Sequence, residues 1–187
     1  MDGLLSTIKK IRGQCPTLKC RDLKTACDAL ISKFSIALKD AVSDDINADE
    51  YFDVFQLALE SRFPRVIEAA MEGLIELIEK GHFRGDCALM MTNIVAGSKY
   101  TKSASLACVR APPLLIDHMV LCVAHCCEET DEVVHMLILK TLYTATTSVY
   151  CKINGVSLIL VMRAFMHIYL CSRNAINRST AKSYTMQ

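Results

Sequence analysis

The chain contains no tryptophan, and aromatic residues make up only 6% of it. Seven glycines and four prolines are all it has in 187 residues. That is too few for a turn-rich β fold or a disordered low-complexity chain. It has no marked excess of one charge: the formal net charge is +1, so no whole-molecule field draws in nucleic acid or an anionic membrane. Scarce aromatics also count against a nucleic-acid-binding helical repeat. No apolar run is long enough to span a bilayer. The most apolar stretch, 156–171, carries Arg163 and His167 and falls short of the ~20 residues a spanning helix needs. The opening MDGLLSTIKKIRG is amphipathic and lacks an apolar h-region, so no secretory leader is expected. The glycines are isolated stops, not a phosphate-cradling loop.

Apolar residues are plentiful, at 52%, and cysteines number ten. The cysteines lie inside apolar helical runs rather than in loops, as small buried hydrophobes do. A reduced, cytoplasmic chain fits this pattern best. The basic clusters Lys9, Lys10, Arg12 and Lys19, Arg21, Lys24 are soon interrupted by acids and read as solvated helix faces.

Periodicity predicts helices throughout. The clearest unit is 47–85. Asn47 with Glu50 has the spacing of a capping box, opening a helix that buries Phe52, Phe55, Leu57 and Leu59. Pro64 suits a first helical turn. Ile67, Ala70, Met71, Leu74, Leu77 and Ile78 then recur at helical spacing, with Glu68, Glu72 and Glu76 opposite and Gly81 as the stop. Two helices so closely joined form an antiparallel hairpin. Further helices are expected at 2–12, 17–42, 86–96 with Asp86 as cap, 113–127, 131–148 with Thr130 as cap, and 156–172. The last of these is apolar nearly all round and should therefore sit in the middle of the packing. Asn174 should end it and Asn177 should cap a final segment. Pair starts near 47, 89 and 131 recur at roughly forty residues, the period of armadillo-like or HEAT-like pairs. The expectation is one all-α domain over 1–187, a right-handed α-solenoid of antiparallel pairs with 1–46 as an N-terminal helix pair.

Few constellations suggest chemistry. His118, Cys122 and Cys126 stand four apart on one helix face, beside His125 and Cys127. Imidazole and thiolate are zinc ligands, but no second close pair converges on them, and a buried core face explains them as well. A nucleophilic cysteine needs an oriented histidine, and ten cysteines with five scattered histidines give no specific pair. The acidic stripe of Glu68, Glu72, Glu76 and Glu79 can meet a basic partner or be the wet face of its helix. Residues alone thus lead to a helical scaffold and do not choose among its uses.

Two stretches go further. One is Tyr51-Phe52, Phe55, Leu57-Ala58, Ser61, Pro64-Arg65, Leu74, Leu77-Ile78, Gly81-His82 and Gly85. The other is Arg163, Ile168-Tyr169-Leu170, Ser172, Asn174, Ile176-Asn177 and Thr180-Ala181-Lys182. Together, over most of 47–182, they resemble the N-terminal dimerisation and cyclophilin-binding (DCB) domain of the large BIG-type guanine-nucleotide exchange factors for Arf GTPases. The resemblance implies an armadillo-like domain at the head of a longer protein, with no cofactor and no catalysis of its own. It implies a possible homodimer, contact with the downstream HUS region (homology upstream of the catalytic domain), and binding of a GTP-loaded Arf-like small GTPase. It further implies recruitment to Golgi and trans-Golgi membranes through partners. Arg65, His82 and Lys182 are the polar matches and so the contact candidates. Arg62, Lys80 and Arg84 join them as exposed ends of the hairpin, with Glu76 beside Lys80. Asn174 and Asn177 are read first as helix caps and second as contacts. The alternative is a general helical-repeat scaffold in membrane trafficking.

Overall fold

The computed structural model describes residues 2–16, 20–37, 48–88, 114–153 and 155–186. Among these residues the architecture is all-helical, with α1 (Asp2–Gln14), α2 (Arg21–Ala37), α3 (Phe52–Glu60), α4 (Pro64–Glu79), α5 (Leu115–His125), α6 (Glu132–Thr147), α7 (Gly155–Cys171) and α8 (Ala175–Thr185). The described residues contain no strand, only one isolated antiparallel bridge between Ala88 and Leu114.

The helices pack in two rows. In one, α4 lies between α1 and α6, and α8 follows α6. In the other, α3 lies between α2 and α5, and α7 follows α5. Cross-contacts between the rows join α1 to α2, α3 to α4, α5 to α6 and α7 to α8.

The hairpin expected from the sequence is present at its α3–α4 corner. Pro64 opens α4 behind an extended Phe63. At the other end Gly81 takes φ +71°. Its N–H donates to Ile78 and the N–H of His82 donates to Leu77, the doubly bonded left-handed finish that only glycine reaches without strain. The approach of α1 to α4 rests on Gly73: a Cβ built there would fall inside the Thr7 methyl group. Met71, Leu74 and Ile78 are fully buried, each worth about 1.5–3 kcal/mol over exposure.

Several expectations are corrected. Asn47 lies outside the described residues, and Glu50 sits in a 3₁₀ turn, Ala48–Tyr51, that precedes α3. Residues 86–88 are irregular rather than the start of a helix capped by Asp86; 89–96 lie outside the description, as do Pro112 and Pro113. The cap of α6 is Asp131, not Thr130: its carboxylate accepts from the N–H groups of Val133 and Val134. Asn174 caps α8 by accepting from Ile176 and Asn177, so Asn177 is an interior residue of that helix and not its cap. In the acidic stripe of α4, Glu72 is exposed and pairs at the surface with Lys10 of α1.

The largest correction concerns α7. It is not central. Ser157, Val161, Ala164, Phe165 and Ile168 are its buried residues, and the opposite side is open. An apolar helix needs cover, but its composition does not say which helix will be covered on every side. The central helix is α4, where nine of 16 residues are buried.

Candidate interaction surface

The corners of the two rows form two edges. The first collects the α3–α4, α5–α6 and α7–α8 corners. The second collects the exit of α4 and the α6–α7 loop. Arg62 and Arg65 stand on the first edge, both exposed. Arg62 forms the corner itself, with φ 58°, unusual for a residue with a side chain. Lys80, His82 and Arg84 stand on the second. The intervening α4 is about 24 Å long at ~1.5 Å per residue, so the hairpin candidates form two groups and not one patch.

The second edge is the better built. Lys80 pairs with Glu76 one turn back. The carboxylate of Asp49 accepts from the N–H groups of Arg84 (3.0 Å) and Gly85 (3.0 Å). The N–H of Ala48 donates to His82 at 2.9 Å. The start of α3 thereby fixes the segment that carries His82 and Arg84. Burial holds the Asp49 carboxyl above its ordinary value, an effect that the two backbone donors reduce but do not cancel. The α6–α7 loop joins this edge: the Tyr150 ring lies against Gly81, and the Cys151 thiol donates to the Phe83 carbonyl. Val149 and Tyr150 are exposed there. Sequence reasoning missed both, since nothing in a short connecting loop points to packing against a glycine some seventy positions earlier.

Around α8, Asn174 donates to the Glu132 carboxylate at 2.8 Å and Asn177 donates to the Glu132 carbonyl at 2.8 Å. Asn177 is 2% exposed, so it ties α8 to α6 and presents nothing outward. Lys182 is exposed on α8, remote from the hairpin edge residues in sequence and on another helix.

The His118 and Cys122 pair is buried between α3 and α5. Gln56 donates to Glu60 at 2.9 Å, and its carbonyl oxygen accepts from His118 Nε2 at 3.1 Å. That bond assigns the ring proton to Nε2, the atom 3.7 Å from the Cys122 sulfur, so His118 does not face the thiol as a base. Burial lowers the His118 pKa. It raises the Cys122 thiol well above its ordinary value and pushes Cys126 up to about 12. These directions oppose thiolate chemistry, which needs a lowered thiol pKa. Among the described residues no three His, Cys, Asp or Glu side chains gather as metal ligands. A cleft of about 180 Å³ between Leu59, Arg62, Cys126 and Glu129 lies at the first edge, smaller than usual metabolite pockets of roughly 300 Å³ or more.

Residues 4–187 match the Mon2/Sec7/BIG1-like dimerisation and cyclophilin-binding domain, DCB. The chain belongs to this family. Its relatives include brefeldin A-inhibited guanine nucleotide-exchange protein 1 of Homo sapiens and of Bos taurus, each 33% identical over 144 residues, 76% of this chain. Brefeldin A-inhibited guanine nucleotide-exchange protein 3 of Arabidopsis thaliana is 31% identical over 123 residues, 66% of this chain. The DCB chain spans only 7% of the length of the mammalian relatives and 6% of the plant one.

Two further properties of this DCB domain bear on partners. No helix among its described residues is long and apolar enough to cross a membrane. Its charge is unevenly placed. All 20 acidic residues lie at or before Glu132, whereas six of the 21 lysines and arginines follow it. The net charge of +1 conceals this, and a running count along the sequence would have found it.

Proposed function

We propose that this DCB domain is the non-catalytic regulatory and assembly module of an Arf guanine-nucleotide exchange factor. The observation that carries the reading is the family match over 4–187, joined to relatives whose names state guanine-nucleotide exchange. The domain works by binding: to a second copy, to the HUS region of its own protein, and to a GTP-loaded Arf-like small GTPase that recruits it to Golgi membranes. Exchange itself belongs to a separate catalytic domain. The two helical rows are the framework of a right-handed armadillo-like stack, in which corners at one edge share a surface.

The GTPase docks on the second edge, along Glu76, Lys80, His82 and Arg84, with Val149 and Tyr150 as apolar anchors. Support comes from its construction: Asp49 and Tyr150 hold the edge in one shape, and preorganised surfaces bind with less ordering cost. Arg62, Arg65 and Asn174 occupy the opposite edge and Lys182 a separate helix; these serve the HUS or dimer contacts.

Calorimetry against a panel of Arf-family GTPases, each loaded with GDP and with a GTP analogue, tests the reading. Selective binding of one GTP-loaded member is expected. The double substitution Glu76→Lys with Lys80→Glu keeps a pair at the C-terminal end of α4 and reverses its order, so the helical circular dichroism signal stays the same. GTPase affinity should fall by about tenfold, the size of a changed rim contact. Undiminished binding by the double variant would place the GTPase elsewhere.

A further inference from the structure

The open side of α7 is a continuous apolar strip. Leu158, Ile159, Met162, Met166, Tyr169 and Leu170 are all exposed, with Ile159 at 61% and Leu170 at 70%. At about 100° per residue they fall within an arc of roughly 120°. The arc points away from α5, because α7 ends its row and turns Ser157 toward Asp117 of α5. Ile176 in the first turn of α8 adds a further exposed apolar side chain, at 66%.

The charges that α7, the α7–α8 corner and α8 themselves carry have one sign, although Glu132 of α6 stands beside the corner, accepting from Asn174. Arg163 borders the strip on α7, and Arg173, Arg178 and Lys182 follow on the α7–α8 corner and α8, all exposed. Arg178 is held at the corner by donating to the carbonyls of Ser172 and Arg173. No acidic residue occurs anywhere after Glu132. A second copy of the chain seated on this face would bring these cations against their own images. The occupant that complements an apolar strip whose own two helices carry only basic charges is an anionic surface with an apolar interior.

We infer that the α7–α8 face lies directly on an anionic lipid bilayer. Leu158, Ile159, Met162 and Leu170 enter the boundary between headgroups and acyl chains. Tyr169 keeps its hydroxyl at headgroup level, and the basic side chains extend to the lipid phosphates. Such contact adds to recruitment by a protein partner and stands independently of it. Each basic residue near an anionic leaflet strengthens binding about fivefold.

The test is flotation of the purified chain with vesicles of phosphatidylcholine alone and with vesicles of phosphatidylcholine and phosphatidylserine in equal parts. Binding to the anionic vesicles, weakened by salt, and little to the neutral ones is expected. Ile159→Glu with Leu170→Glu should abolish it. Arg163→Glu with Lys182→Glu should lower it about tenfold or more. All four side chains are exposed, so an unchanged circular dichroism spectrum accompanies each variant. Absence of flotation, equal flotation with neutral vesicles, or indifference to the Ile159 and Leu170 changes would overturn the inference. A concentration-dependent dimer that Ile159→Glu with Leu170→Glu dissolves, without flotation, would assign the face to a second copy instead.

Discussion

Helices α4 and α7 are nearly equal in length and both rich in apolar residues, yet they hold opposite places. Nine residues of α4 are buried against five of α7. The difference lies in small residues and charge. Ala69, Ala70 and Gly73 let neighbours come close to α4, and its glutamates mark where solvent and α1 begin. In α7 the small residues Ser157 and Ala164 share one stripe, and no acidic residue marks a wet side. A central position therefore requires several close faces, not the greatest hydrophobicity.

The contrast can be broken most forcefully at two leucines of opposite setting. Leu74 is fully buried in α4, whereas Leu170 stands on the open side of α7. Leu74→Ala should cost about 2–5 kcal/mol, by lost burial and the cavity left behind. Leu170→Ala should stay within about 0.5 kcal/mol, as exposed substitutions do. Urea unfolding of both variants measures this, and a similar loss at both positions would erase the distinction. A smaller effect is expected from Gly73→Ala, about 1–3 kcal/mol through overpacking against the Thr7 methyl. Thr7→Ser removes that methyl and keeps the hydroxyl that donates to Gly3. The double variant should recover part of the loss, and strict additivity would show that the methyl is not the obstacle.

The smallest effect is a slope with pH. Burial holds the His118 pKa below its ordinary 6.5, so the unfolded chain takes up this proton first. Stability is full above the ordinary pKa and declines as pH falls below it, until folded His118 protonates too. The melting temperature should drop on acidification from neutral pH, and His118→Gln should flatten that slope whatever it does to the level. An unaltered slope would remove His118 from the account.

Much of α4 is legible in the sequence because its signals are local. Pro64 and Gly81 punctuate a helix whatever surrounds it, and the apolar spacing between them leaves one face to bury. The place of α7 is not legible, since Leu158 and Phe165 are equally apolar and only the neighbours decide which is covered. The caps differ from expectation by small steps for a related reason. Thr130 and Asp131 are both competent, as are Asn174 and Asn177, and tertiary contacts choose between them: Asn177 is spent on Glu132. In sequence the candidate residues look like one hairpin surface because their proximity hides the length of α4, which separates Arg62 and Arg65 from Lys80, His82 and Arg84.

The carboxylate of Asp49 reaches the backbone of Arg84 and Gly85, and Ala48 reaches His82. The chain between them thus returns to its own starting point and is latched there. A segment closed at its base carries its loop-closure entropy internally. The two ends of the α3–α4 hairpin are therefore held to each other by Asp49 as well as by the packing of α4.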